Sequence, residues 1–399
     1  MTGRQPQLAR LAVAAVFFAN GALFANVIPR YPEIRNELGL SNAALGAALA
    51  AFPLGALAAG LFAAPLIQRF GSGRVASAGI VALAIALVLV GSAPSWAALA
   101  AVLFVAGGID SVTDVAQNAH GLRVQRVYGR SIVNSFHGIW SIGAVTGGLM
   151  GAATIALDIS LETALVAASA LFSVVALVAY RFMLHGPDDT ERVDRHHGKI
   201  SSSTIRVLAA LGVLAACGAV VEDAGASWGA IYLKDDLGAA AAVAGLAFVA
   251  LQTAMTVGRL TGDRVVDRFG QRNVVRTGGV VMAAGMGFAL AVPTPATTLI
   301  GFAIAGLGVA TLVPAAMHTG DELPGLPAGV GLTVVSVLLR VGFLASPPLV
   351  GLTADAISLR VGLLGVVLAG TIVVFFSRVL LQHNPAGAEA VDAAAPTRA

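Results

Sequence analysis

Charge is scarce in this chain, and so are lysine and cysteine. Only 11% of the 399 residues are charged, against about 25% in an average soluble protein. The apolar share is 57% and the mean hydropathy is +0.86, which excludes a soluble multidomain enzyme, a coiled coil and a disordered chain. The single cysteine, Cys217, excludes a disulfide scaffold. A helical membrane protein with many spans remains.

Apolar runs rich in alanine, leucine, valine and glycine follow one another along the chain. At roughly 20 residues per span, this length holds about twelve membrane-spanning helices. The first run follows Arg4 and Arg10, as in a signal peptide, but it continues to Ile28 and further spans follow, so we interpret it as a retained helix. The predicted spans 1 to 12 are 10–29, 42–67, 75–93, 96–119, 131–154, 161–182, 206–232, 241–265, 274–292, 297–318, 329–352 and 360–380.

Basic residues are unevenly divided between the predicted loops. With the N-terminus in the cytoplasm, nineteen of the 24 lysines and arginines fall on the inside, Arg259 among them, and four on the outside. Cytoplasmic loops carry such an excess in membrane proteins. The bias predicts that both termini are cytoplasmic, and it accounts for the basic composition without a nucleic-acid partner.

The two halves of the sequence repeat each other. The stretch 67–71 (IQRFG) matches 266–270 (VDRFG) at an offset of 199 residues, and the Leu-Gly pairs at 38–39 and 237–238 share that offset. Such repeats are typical of transporters built from two similar bundles. We therefore predict an all-α membrane protein with twelve transmembrane helices in two pseudo-symmetric six-helix bundles. The predicted parts are 1–182 and 205–381 for the bundles, 183–204 for a cytoplasmic linker and 382–399 for a disordered cytoplasmic tail.

The loop at 262–272, centred on Asp267 and Arg268, resembles the signature loop of the major facilitator superfamily. Its counterpart in the first half has Gln68 where that family usually has Asp. The resemblance covers nearly the whole chain and implies a secondary transporter.

Two further segments resemble one branch of the superfamily. The stretch 114–141, and Glu222 placed six residues before Trp228, are similar to the MosC-like branch, which includes uncharacterised bacterial proteins. The spacing of Asp114 and Asn118 resembles the Glu-x3-Asn motif of fucose–proton symporters. The branch implies a multi-pass protein of the bacterial inner membrane and names no substrate.

Three titratable residues inside spans 4 and 5 are candidates for proton coupling. A charge in the hydrocarbon core costs at least about 2.5–3.5 kcal/mol on insertion scales, so its presence needs a reason. Asp110 and Asp114 share one face of span 4, and His137 of span 5 lies at a similar depth. A carboxyl group whose surroundings change between two transporter states can load and release a proton. The alternative is that these side chains only brace helices.

Candidate substrate-binding residues lie on both halves. An arginine deep in span 11 is expected to be paired with Glu222, Asp114, Asp110 or a substrate carboxylate. Because adjacent residues on a helix point about 100° apart, only one of Glu222 and Asp223 is expected to face the cavity squarely; the alternative for Glu222 is an outer ion pair with Lys234. Acids outnumber the one cation, which favours a neutral or cationic solute over a dianion. The candidates are Asn20, Asn26, Asn118, Trp140, Glu222, Gln252 and Arg340.

The signature loop also supplies a candidate gate. By analogy with the superfamily, Asp267 meets the positive N-terminal end of the helix in span 5, near Arg130, and holds the cytoplasmic side shut. Arg268 and Arg272 belong to the same gate. The alternative role for Asp267 is a local helix cap.

We predict a non-enzymatic, proton-coupled transporter for a small polar solute. Uptake symport of a sugar- or polyol-like solute is the first hypothesis, and proton-driven efflux of a metabolite or drug is the second. An intramembrane enzyme or a passive scaffold is a remote alternative. The linker histidines lack metal-site spacing and the chain has no nucleotide-binding Gly-x4-Gly-Lys pattern, so we expect no metal and no cofactor. The expected partners are the solute, protons and the lipid bilayer, with a monomeric chain.

Overall fold

The computed structural model describes residues 5–128, 132–186, 202–323, 326 and 330–380. Within these ranges all regular structure is helical. Twelve helices are long and apolar enough to cross a membrane, which confirms the predicted fold class. Spans 1 to 12 are Gln5–Glu37, Asn42–Phe70, Ser72–Gly91, Trp96–Tyr128, Ser135–Ala156, Leu161–Tyr180, Ser202–Asp236, Ala241–Gly262, Gln271–Ala291, Pro295–Asp321, Val330–Ala356 and Leu359–Val379.

Spans 1, 4 and 7 are longer than the sequence predicts. They contain 33, 33 and 35 residues, and at 1.5 Å per residue each is about 50 Å long, well beyond a hydrocarbon core of about 30 Å. Hydropathy reports only the apolar part of a helix, so the polar turns that extend it were missed.

Spans 1, 2 and 7 are interrupted by irregular turns. In span 1 the helix Gln5–Asn26 gives way to a 3-10 turn, Ile28–Arg30, that contains Pro29; proline lacks the N–H group that a continuous helix needs. Span 2 has a 3-10 turn at Gly60–Phe62. Span 7 widens into a π-helix at Ala224–Trp228. The turns in spans 1 and 7 are buried within the protein, where irregular backbone is tolerated in membrane helices.

The internal repeat is visible in the backbone. Gly71 and Gly270 end equivalent helices with φ/ψ of 84°/143° and 80°/142°, a conformation that glycine adopts far more readily than other residues. Gly107 packs against the backbone of Phe52, and Gly306 packs in the same way against Leu251. Both pairs keep the offset of 199 residues, so the two bundles share loop geometry and helix packing.

The two bundles meet mainly along spans 2 and 11 and along spans 5 and 8. Gly46 of span 2 lies against the backbone of Pro347 in span 11. Gly148 of span 5 faces the side chains of Phe248 and Val249 in span 8. These small residues allow the helices of the two halves to approach closely.

Charged groups close the interface between the bundles at one end of the molecule, opposite the end where span 1 begins and span 12 ends. Arg35 and Asp235 form an ion pair of 2.6 Å between the halves. The carboxylate of Asp355, at the end of span 11, accepts hydrogen bonds from the backbone N–H groups of Asn42 (3.0 Å) and Ala43 (2.8 Å). These contacts satisfy the first N–H groups of span 2, which have no partner within their own helix. The molecule is therefore shut at this end.

The start of the predicted linker is attached to the first bundle. The guanidinium group of Arg123 donates hydrogen bonds to the carbonyls of Leu184 (3.4 Å), His185 (2.8 Å) and Gly186 (3.1 Å). Residues 187–201 and 381–399 lie outside the described part, so the bounds of linker and tail stay predictions.

Candidate transport site

A cavity of about 350 Å³ lies between the two bundles. Spans 1, 2, 4 and 5 line it from the first half, and spans 7, 8 and 11 from the second. Its apolar wall includes Phe24, Phe52, Phe248 and Phe343. A larger groove, of about 710 Å³, lies between spans 2, 3 and 4. Among the described residues that line it, Arg74 and Thr113 are polar and the others are apolar. The central cavity holds the titratable groups and is the candidate site.

Asp110, Asn20 and Trp140 form a hydrogen-bonded chain in the cavity. The indole N–H of Trp140 donates to Asn20 Oδ1 at 2.7 Å, and the Asn20 amide donates to Asp110 Oδ1 at 2.9 Å. Spans 1, 4 and 5 are thereby connected through three of the predicted site residues. The hydrogen bond to Asn20 holds one edge of the Trp140 ring system and fixes the orientation of the indole at the cavity wall.

Asp114 is held within its own helix. Its Oδ1 atom accepts hydrogen bonds from the side-chain amides of Asn118 (3.0 Å) and Gln117 (3.3 Å). His137 of span 5 is within electrostatic range of Asp114, and its exposed ring packs edge-on against Phe17 with centroids 5.4 Å apart. The expected proximity of an acid and a histidine between spans 4 and 5 therefore involves Asp114, while Asp110 takes Asn20 as its partner.

Glu222 pairs with an arginine that the sequence analysis assigned to a loop. Arg259 Nη2 donates to Glu222 Oε1 at 3.2 Å, with 31% and 24% of the two side chains exposed. Arg259 lies inside span 8, so counting it among the inside-loop cations was wrong. Lys234, the alternative partner, lines a separate surface pocket at the shut end. Arg259 lies within the predicted span 8, 241–265, and this position could have identified it as an intramembrane charge.

Asp223 also faces the cavity, although only one of the two adjacent acids was expected to do so. Both Glu222 and Asp223 line the cavity wall. Asp223 is 5% exposed and accepts hydrogen bonds from Ser227 (2.5 Å) and from Ser346 of span 11 (2.7 Å). Its two serine partners direct it to a different part of the wall from Glu222, because they lie on spans 7 and 11 while Arg259 lies on span 8.

Arg340 projects from span 11 towards the first half. It lines the cavity and is within electrostatic range of Asp110, but among the described residues it forms no ion pair within 4 Å. Gln252 lies on the same cavity wall and is 3% exposed. Its Nε2 atom is buried without a hydrogen-bond acceptor among the described residues.

Two groups of predicted residues lie away from the cavity. Asn26 is outside its lining and donates to the carbonyl of Gly147 at 3.5 Å, which connects spans 1 and 5. Asp267 is exposed and has no hydrogen bond or ion pair with any described residue. Arg268 stacks on the neighbouring ring of Phe269, 5.5 Å from its centroid, and Arg272 donates to the carbonyl of Leu380 at 2.9 Å. Arg130 lies outside the described residues.

The family model described as Major Facilitator Superfamily matches residues 13–221 and 211–398. The chain belongs to the major facilitator superfamily. It is therefore a multi-pass membrane transporter for a small molecule. The relatives described below are transporters or membrane proteins, which supports the prediction of a non-enzymatic protein.

Relatives within the superfamily match over most of their length. The membrane protein MosC of Rhizobium meliloti is 31% identical over 375 residues, which covers 92% of this chain and 90% of that protein. An uncharacterised MFS-type transporter of Yersinia pestis is 26% identical over 346 residues, covering 86% of this chain and 88% of the relative. The MosC match confirms the predicted resemblance to the MosC-like branch, while the fucose-symporter-like motif in span 4 stays a prediction.

Solved major facilitator structures share the fold. A bacterial homologue of the human lysosomal transporter Spinster, in an inward-facing and occupied conformation, aligns with a TM-score of 0.75 at 17% identity, covering 96% of this chain and 100% of that one. The nucleoside transporter NupG aligns with a TM-score of 0.69 at 14% identity, covering 93% and 96%. At these identities the likeness shows the fold alone.

Proposed function

We propose that this chain carries a small polar solute across the bacterial inner membrane by proton-coupled alternating access, as an uptake symporter for a sugar- or polyol-like compound. The observation that carries the proposal is the central cavity, where four carboxyl groups from both bundles line one space between the halves. Proton-driven efflux is the competing direction, and the experiment below separates the two.

Alternating access is supported by the difference between the two ends. The ion pair of Arg35 with Asp235 and the contacts of Asp355 close one end. The cavity residues differ in their exposure to solvent. Asp223 is 5% exposed, whereas 24% of the Glu222 side chain and 31% of the Arg259 side chain are exposed. With both termini in the cytoplasm, this state faces inward.

Proton coupling is supported by the charges of the cavity. The carboxyl groups of Asp110, Asp114, Glu222 and Asp223 are accompanied by two guanidinium groups, Arg259 and Arg340. A surplus of buried acid is costly unless it is neutralised. Protons carried with the solute supply that neutralisation, and Asp114 with its neighbour His137 is the first candidate for the coupling proton.

A sugar-like solute is supported by Trp140 and Asn20. An indole face held in place at the wall offers a flat apolar surface for the C–H groups of a sugar ring, and the neighbouring amide and carboxyl groups offer hydrogen bonds for its hydroxyls. A volume of about 350 Å³ lies at the small end of the range of ligand cavities.

Purified protein in proteoliposomes tests the coupling and its direction. With the interior alkaline, a symporter accumulates a labelled hexose, polyol or amino sugar regardless of its orientation in the vesicle, and a protonophore abolishes the accumulation. An antiporter accumulates solute only with the interior acidic, and that result would replace uptake by efflux. Equal uptake under both gradients would contradict proton coupling, and no uptake of any compound would contradict the sugar-like substrate class.

Replacing Asp267 by Asn tests the proposed gate. Asp267 has no partner to lose among the described residues in this state, but in the opposite state it meets the N-terminal end of the helix in span 5. Asp267→Asn should favour the present state by about two- to fivefold, as expected for one charge at a helix end. The measurement is the distance between spin labels at Arg181 and Arg378 in a Cys217→Ser background. Glu162→Gln, an exposed change at the shut end, is the control; an unchanged distance distribution in Asp267→Asn would remove the gating role.

A further inference from the structure

The carboxyl groups of the cavity all have hydrogen-bond or ion-pair partners within the protein. These partners are Asn20 for Asp110, Gln117 and Asn118 for Asp114, Arg259 for Glu222, and Ser227 and Ser346 for Asp223. Each of these carboxyl groups is therefore held in place by the protein in this state through at least one of its oxygens.

The donors of the same cavity are in the opposite situation. Gln252 Nε2 and Ser111 Oγ are buried, on residues that are 3% and 2% exposed, and neither has a hydrogen-bond partner among the described residues. Arg340 has no ion pair there either. A buried donor without an acceptor is destabilising, and an arginine within the membrane is almost always paired. The cavity thus contains buried donors whose acceptor a solute could supply.

Two of these donors converge beside the break in span 2. A Cβ atom built on Gly60 would lie 3.3 Å from Ser111 Oγ and 3.6 Å from Arg340 Nη1. The guanidinium group of span 11 therefore reaches across the interface to the 3-10 turn Gly60–Phe62 and to span 4. Since this position has no side chain, the guanidinium lies close to the backbone of the first half, where a ligand bound to it would contact both bundles.

We infer that Arg340, with Ser111, forms a subsite for the carboxylate of the transported solute, which is a hydroxylated monocarboxylate of the sugar-acid class, and that Gln252 donates to the same solute from span 8. The inference rests on the proposed transport function and narrows its substrate class. Arg340 offers two parallel N–H groups that match a carboxylate. A second negative charge would face the four cavity acids, so a dianion is excluded. The arrangement of partners changes the expectation from charge counting, which favoured a neutral or cationic solute.

Matched pairs of compounds test the subsite without knowledge of the natural solute. The thermal stability of the purified protein is measured with glycerol against glycerate, sorbitol against gluconate, and glucose against glucuronate at equal ionic strength. A ligand that binds only the folded state raises its apparent stability. We expect at least one carboxylate to stabilise the wild type more than its neutral partner. Arg340→Gln should weaken that binding about 10- to 100-fold, and Arg340→Lys should restore part of it.

Controls distinguish the subsite from general effects of charge. Arg206→Gln removes an exposed arginine at the start of span 7 and should leave the preference for carboxylates intact. If no carboxylate exceeds its neutral partner in the wild type, or if folded Arg340→Gln keeps the preference, the inference is wrong. Proton-driven uptake of a neutral sugar would leave the proposed function standing without this subsite. Carboxylate binding that depends on Arg340, combined with uptake insensitive to the pH gradient, would leave the subsite standing without proton coupling.

Discussion

An Asp114→Asn carrier should bind and exchange its solute but fail to concentrate it. Asparagine resembles the protonated acid, and its Oδ1 atom can still accept the hydrogen bonds of Asn118 and Gln117. The buried charge is removed without a loss of local structure, so solute-driven reorientation continues. Coupling to the proton is lost, because no proton can leave this side chain on the inside.

Proteoliposomes separate the two activities. Counterflow without a pH gradient should persist in Asp114→Asn, whereas the accumulation ratio should fall to one, from up to about tenfold per pH unit in an electroneutral one-proton symporter. Asp158→Asn is a matched control, since Asp158 is exposed with φ of 52°, a conformation that asparagine tolerates. Wild-type accumulation by Asp114→Asn would transfer the coupling role to Asp110. Loss of counterflow as well would indicate a structural Asp114, whose removal leaves His137 without its neighbouring charge.

A valine at Gly46 should abolish transport by preventing closure of one end. A Cβ atom at this position would overlap the backbone of Pro347 in span 11, and backbone cannot move aside as a flexible side chain can. The variant should therefore be excluded from the present state and populate the one in which this end is open. Uptake and counterflow should both fall to background, since each requires the carrier to pass between its two states.

Spin labels at Glu37 and Asp236, which flank the Arg35–Asp235 ion pair, report this opening. Their distance distribution should move to longer values in Gly46→Val. Gly287→Val is the control, because a Cβ atom at Gly287 meets only Val367 at 3.9 Å, and its transport should be close to the wild type. Full transport by Gly46→Val would show that spans 2 and 11 do not need this close contact.

The sequence predicts the structure best for features that depend on a single helix. The predicted cores of spans 2, 6 and 12 end within a few residues of the observed helices, because an apolar run of about 20 residues is a direct requirement of the bilayer. The glycines at the equivalent loops, Gly71 and Gly270, were predicted by the repeat and share their backbone angles. The polar extensions of spans 1, 4 and 7 were not predictable from hydropathy.

The partners of the intramembrane charges were much harder to predict. A span-by-span analysis identifies Glu222 and Arg340 as charges in a helix, but it cannot tell which other helix each one faces. Glu222 pairs with Arg259, which had been counted as a loop residue. Arg340 was expected to pair with a cavity acid or with a substrate carboxylate, and it forms no ion pair with the described residues. Asp223 was set aside because of its angular separation from Glu222, although both line the cavity.

Composition and the half-length repeat were sufficient to establish a membrane transporter of twelve spans in two related bundles. Both follow from local requirements: each span must be apolar along its length, and a duplicated sequence folds into duplicated bundles. The choice of partners in the cavity depends on how the helices pack within each bundle, and the closure at Arg35 and Asp355 and the position of Arg340 depend on how the bundles pack against each other. Residues on different spans meet there, and no periodicity along a single helix records which of them will be in contact.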